Sequence, residues 1–105
     1  MNIITISAAV LTGGQSQKIA TSTTSAQSAA IAATAAAQSG APVKVLITPD
    51  ATCFARYDAN PTALSDGTDQ ILLANNTYRV EVMPGGKFAF ILATGTGNVY
   101  VTPGA

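Results

Sequence analysis

The chain has no histidine, no tryptophan and a single cysteine, Cys53, among 105 residues. Each absence removes a class of function. Without histidine there is no Ser-His or Cys-His pair, because a nucleophile of that kind needs an adjacent base. One cysteine permits no intrachain disulfide and supplies no thiolate cluster for a metal. Cys53 itself reads as a small buried hydrophobe in a strand. Without tryptophan, and with three tyrosines lying in strand-like patterns, the aromatic platform that carbohydrate enzymes use beside paired carboxylates is not evident. These absences together argue against an enzyme and against any bound cofactor.

Charge is also scarce. Only 10% of residues are charged, and five basic residues cancel five acidic ones, against a typical charged fraction near 25%. Lys18, Lys44, Arg56, Arg79 and Lys87 are scattered singly, so no basic patch exists to neutralise phosphates, and neither nucleic acid nor an anionic membrane is expected as a partner. No run of 18 or more apolar residues is present to span a bilayer. Near-zero net charge removes the repulsion that keeps copies apart. A chain of this length is one domain, with roughly two-thirds of its surface buried on folding. Such a domain is marginal alone and gains from docking, so homo-oligomerisation is expected.

Alternation of apolar and polar residues dominates the second half. Val43, Val45 and Ile47 alternate with Lys44, Leu46 and Thr48. In 52–57, Phe54 and Arg56 share one face while Cys53, Ala55 and Tyr57 share the other. Ile71 to Leu73 is a short apolar piece, and Tyr78, Val80 and Val82 alternate with Arg79, Glu81 and Met83. Phe88, Phe90 and Leu92 share a face in 87–93, and Val99 to Thr102 follows. Period two with β-branched and aromatic residues is the pattern of half-buried strands. Pro49-Asp50, Asn75-Asn76, Pro84-Gly85-Gly86 and Gly95-Thr96-Gly97-Asn98 punctuate them as turns. Turns about every ten residues predict an all-β fold, a small antiparallel β-sandwich of jelly-roll-like or Ig-like type with about seven or eight short strands. The segments 77–83, 87–93 and 99–102 read as a tandem hairpin. Asp58, Asp66 and Asp69 fall in the loop between the second and third of these strands; their spacing fits no EF-hand, and aspartate is a good turn former, so no metal site is expected.

The first half is different. Residues 1–41 hold Ala, Ser, Thr, Gln and Gly with Lys18 as the only charge. Met1 to Leu11 is apolar without a positively charged start and reads as a strand rather than a signal peptide. Gly13-Gly14 ends it, which divides the chain into an arm over 1–13 and a sandwich domain over 14–105. Ile3, Ile4, Ile6, Val10 and Leu11 on the arm, with Tyr57 and Asn60 beside the polar loop, are the expected partner-binding residues. Residues 17–23 read as a strand. The Ala-rich stretch from Ala26 has helix propensity but only Ile31 as a large apolar residue to bury; a strand over 26–32 that lies close to a neighbour, followed by a loop through Gly40, fits better.

Several motifs in order resemble a group of small tailed-phage proteins. They are Cys53-Phe54-Ala55-Arg56-Tyr57-Asp58-Ala59-Asn60-Pro61-Thr62-Ala63, then Leu72-Leu73-Ala74-Asn75, then the hairpin-like Tyr78 to Ile91 with Pro84-Gly85-Gly86-Lys87 at its centre. Gln17-Lys18-Ile19-Ala20 and Ser25 to Ala30 resemble the group's opening strands, so the likeness spans about 14–103. The chain departs from the pattern at Leu73, where the group often has proline, and in carrying Met1 to Leu11. The resemblance implies a virion structural protein such as a capsid decoration (cement) protein, made in the host cytoplasm and carried on the capsid surface. The major capsid protein would be its partner. It brings no catalytic residues. A host-surface or glycan-binding module of a virion fibre, and a head–tail adaptor, are the alternatives.

Overall fold

The computed structural model describes residues 16–31 and 42–103. Among them there is no helix, and so none long and apolar enough to cross a membrane. Eight strands form: β1 Gln17–Thr21, β2 Ala26–Gln27, β3 Val43–Pro49, β4 Cys53–Asp58, β5 Gln70–Leu72, β6 Tyr78–Val82, β7 Lys87–Ile91 and β8 Gly97–Pro103. They make two antiparallel four-stranded sheets, in the orders β1-β8-β3-β6 and β2-β7-β4-β5.

The pairings are nested. β1 pairs with β8, β2 with β7, β3 with β6, and β4 with β5. The chain is thus one long two-stranded ribbon, with the 58–69 loop at its tip, rolled so that successive pairs fall in alternate sheets. This is the strand order of a jelly roll, and the expected all-β sandwich is present.

The tandem hairpin is not. β6, β7 and β8 follow one another in sequence, yet β6 and β8 lie in one sheet and β7 in the other. The reason lies in their inward faces. Tyr78, Val80 and Val82 line the inside of one sheet; Phe88, Phe90 and Leu92 line the inside of the other. These faces bury each other across the sandwich, so the turns at 84–86 and 92–96 cross between sheets. Gly85, at φ +107°, supplies the left-handed backbone for the first crossing.

Alternation sets burial along every long strand. In β3 the odd residues Val43, Val45, Ile47 and Pro49 are buried while Lys44 is exposed. Phe90, Ile47, Leu92, Val43, Val45, Val99 and Val101 form the fully buried centre, each contributing about 1.5–3 kcal/mol through burial. Cys53 is also fully buried there. β1 falls where the Gln17 region predicted a strand. The strand expected over 26–32 is regular only at Ala26–Gln27, but its backbone continues to bond along its own neighbour β7 and the turn before it: Ser28 N–H donates to the Phe88 carbonyl and Ile31 N–H to the Gly86 carbonyl, each at 2.8 Å. The segment 1–13 lies outside the described residues.

Candidate functional site

Each sheet of the sandwich ends in an edge strand on either side. On one flank β1 and β2 lie together; on the other, β5 and β6 face each other across a gap. β5 has only three residues, opposite Cys53, Phe54 and Ala55 of β4. Beyond it no strand among the described residues covers the interior. There an apolar recess of about 210 Å³ opens between the sheets, lined by Ile47, Val80 and Val82 from one and by Ala55, Tyr57, Leu72 and Phe88 from the other. Arg56 and Gln70 are its polar members.

Two tyrosine hydroxyls span the mouth. Tyr57 donates to the Met83 carbonyl just past β6 and accepts from Gly86 N–H at 3.0 Å. Its ring tilts against Phe88 with centroids 4.7 Å apart. Gly86 has to be glycine for this, since a Cβ there would stand 2.7 Å from the Tyr57 ring. At the other end Tyr78 of β6 accepts from Leu73 N–H at 2.7 Å. Around this flank three large apolar side chains are exposed: Ile71 at 42%, Leu73 at 50% and Met83 at 53%. None of the three lines the recess, and Leu73 and Met83 stand at its opposite ends, but exposed apolar side chains on the same flank as an apolar opening are of the kind that partners cover.

The 58–69 loop folds back over the outer face of the second sheet. Gln27 Nε2 donates to Asn60 Oδ1 at 2.9 Å and to the Pro61 carbonyl at 2.7 Å, and Ala63 N–H donates to Ser25 Oγ at 2.9 Å. Asp69 is nearly buried; its carboxylate accepts from Arg56 Nε and from Leu64 N–H, both at 2.7 Å. Ala89 sits between Gln27 and Arg56 in the ladder, with its side chain on the outer face, yet it is wholly buried. The loop, through buried Pro61 and Ala63, covers it.

The acidic residues of this loop are spent on the backbone and on Arg56. Asp58 accepts from Ala59 N–H, and Asp66 accepts from the Thr68 hydroxyl and N–H, which together hold its carboxyl below the usual range. Among the described residues no group of three or more His, Cys, Asp or Glu is placed to hold a metal ion. Burial pushes the Cys53 thiol up to about 11.

Of the expected partner-binding residues, Ile3, Ile4, Ile6, Val10 and Leu11 lie outside the described residues. Tyr57 and Asn60 are described and are not brought together. Tyr57 points into the recess with its hydroxyl engaged, while Asn60 is exposed on the loop over the opposite face, tied to Gln27. Sequence reasoning missed Tyr78, Leu73 and Met83 as the border of an open flank. Alternation in 77–83 marks which side chains turn inward; it carries no mark that the strand lies at an edge.

Compared with known protein families, curated proteins and solved structures, the chain finds no match.

Proposed function

We propose that this protein is a structural subunit that acts through contact with other proteins, and that its setting is the outer shell of a tailed-phage particle. There it is a capsid decoration protein, seated on the major capsid protein across joints between subunits. The observation that carries the contact role is the open flank, where Ile71, Leu73 and Met83 stand 42–53% exposed beside an apolar recess on a chain with little charge. Surfaces of that composition gain free energy when a partner covers them. The virion setting is supported by the motif resemblance over about 14–103. Jelly rolls recur in viral shells and also in lectins, an analogy of fold that leaves the site to carry the assignment. The arm residues Ile3, Ile4, Ile6, Val10 and Leu11 would serve as tether by adding a strand to a neighbouring sheet.

Reconstruction of assembled particles from the source of this sequence tests the reading. Density for the sandwich at many sites on the capsid surface is the expected result, and removal of residues 2–11 should release the protein from the particle. About a dozen copies at a single vertex would indicate an adaptor instead, and absence from particles would refute the virion setting.

The glycan-binding alternative needs an aromatic platform on the 58–69 loop. That loop contains no aromatic residue, and Tyr57 at its border turns its ring inward against Phe88. Reproducible binding of the isolated protein on a glycan array would reverse this ranking.

A further inference from the structure

An aspartyl carboxyl can be attacked by the main-chain nitrogen of the residue after it, because the two are close enough to close a five-membered ring. The attack needs a following residue with little bulk, an N–H that is not otherwise engaged and a backbone free to turn. The aspartates of this chain differ sharply in these respects. Asp50 and Asp58 precede alanine, and Ala59 N–H is already held by the Asp58 carboxylate at 2.8 Å. Asp69 precedes Gln70, the first residue of β5, and its carboxylate is fixed between Arg56 Nε and Leu64 N–H. Asp66 alone precedes glycine. Residues 64–68 are all exposed, and Gly67 sits at φ +96°, a conformation open to glycine. Nothing lies within 4 Å of the place where a Cβ on Gly67 would stand, and among the described residues no hydrogen bond engages its N–H.

We propose that Asp66–Gly67 is a self-modification site, where the chain cyclises to a succinimide and reopens to isoaspartate, with Thr68 as the brake. Gly67 N bonds to Asp66 Cγ, and one carboxyl oxygen departs as water with the Gly67 amide hydrogen and the carboxyl proton. Water then adds back at one of the two ring carbonyls. Opening at Cγ restores aspartate. Opening at the Asp66 main-chain carbonyl breaks its bond to Gly67 N, frees an α-carboxylate and routes the chain through Cβ and Cγ. No reactant besides water takes part, and the product has the mass of the starting chain. The Thr68 hydroxyl and N–H both donate to Asp66 Oδ1, at 2.6 and 3.0 Å. They keep the group ionised, the form from which oxygen leaves least readily, and tie it to the residue beyond the attacking nitrogen. Isomerisation lengthens the main chain by one carbon at a loop tip whose anchors lie on either side: Pro61 and Ala63 bonded to Gln27 and Ser25, and Asp69 bonded to Arg56. The tip changes shape while the sandwich stays folded.

This inference goes beyond the contact role and does not depend on the virion setting. Ageing of the purified full chain in warm neutral buffer, followed by peptide mapping with main-chain fragmentation in a mass spectrometer, tests it. Residue 66 is expected to convert to isoaspartate through a species lighter by one water, while residues 50, 58 and 69 stay as aspartate. A protease that cuts before aspartate but not before isoaspartate should lose its cut at 66 in step. T68A should convert severalfold faster than the wild type, and T68S, which keeps the hydroxyl, should match the wild type. D66E, whose cyclisation needs a six-membered ring, should stay unconverted, and circular dichroism checks that each variant is folded. Residue 66 left intact in the folded chain while a free peptide spanning 64–69 converts would overturn the proposal, as would conversion spread evenly over the aspartates. T68A ageing no faster than the wild type would overturn the part given to Thr68.

Discussion

The two flanks of the sandwich solve the same problem with opposite materials. On the β1–β2 side the side chains are small. Ala26 packs on the core, Ser28 Oγ accepts from Phe88 N–H at 3.0 Å, Ala29 N–H donates to Gln17 Oε1 at 2.8 Å, and Leu92 N–H donates to the Ser22 carbonyl at 2.8 Å. Main chain comes close to main chain and the seam closes. On the β5–β6 side Tyr57 and Tyr78 reach across instead, and their hydroxyls hold the turns while an apolar gap stays open between them. Small residues let the edge strands β1 and β2 lie close together; large ones span the other flank and leave a surface for something else. An alanine- and serine-rich segment that looks poor in structural content is what seals one side.

The comparison can be broken first from within. Cys53 packs opposite Leu72 at the back of the open flank, and its thiol ionises at about 11 in the fold against an ordinary value of 9.0. The unfolded chain therefore loses its proton first. The contribution is complete below pH 9.0, drains away as pH rises and is gone above about 11. The loss is on the order of 2–3 kcal/mol. Urea denaturation of the wild type and of Cys53→Ala between pH 8 and 11 should show this alkaline loss in the wild type alone. Parallel slopes against pH would remove the buried thiol as its cause.

A smaller effect is expected at the props. Tyr57→Phe keeps the ring against Phe88 but strips the bonds to the Met83 carbonyl and Gly86 N–H, for a cost of about 1–2 kcal/mol. Hydrogen exchange at the Gly86 amide should quicken, with amides of the β1–β2 seam unchanged. Tyr78→Phe loses one bond, to Leu73 N–H, and should cost about 1 kcal/mol. Equal acceleration on both flanks would mean the tyrosines hold the whole sandwich rather than one side.

The smallest change sharpens the closed flank. Thr21 Oγ1 is buried at the end of β1 with no hydrogen-bond partner among the described residues. Thr21→Val retains the shape and removes the stranded hydroxyl, so stability should rise by about 1 kcal/mol. A drop in the denaturation midpoint would show that this hydroxyl is satisfied after all.

Which residues turn inward was legible from the sequence; which strands lie side by side was not. Val43-Lys44-Val45 and Tyr78-Arg79-Val80 reveal their buried faces by alternation alone, and burial along β3 and β6 follows it. Pairing is another matter. Pro84-Gly85-Gly86 between two alternating runs has the chemistry of a hairpin turn, and the same residues serve equally well to carry the chain between sheets. The choice depends on Phe88 and Phe90 needing Val80 and Ile47 across the core, a long-range condition that no local window contains. The candidate site fails for the same reason. Tyr57 is visible as a residue beside a polar loop, but its partners Met83 and Gly86 lie 26 and 29 positions away, and an edge is defined by the neighbour a strand lacks.

The nested ribbon has a kinetic consequence. Its tip pair joins Cys53 to Leu72, a span of 19 positions, whereas its base joins Gln17 to Val101, a span of 84. Closing a longer loop costs more entropy before any contact repays it, and chains dominated by distant partners fold in milliseconds to seconds. Assembly is therefore expected to zip from the tip toward the base, leaving β1 and β8 to meet last. During synthesis β8 would have to emerge before its pair with β1 could form.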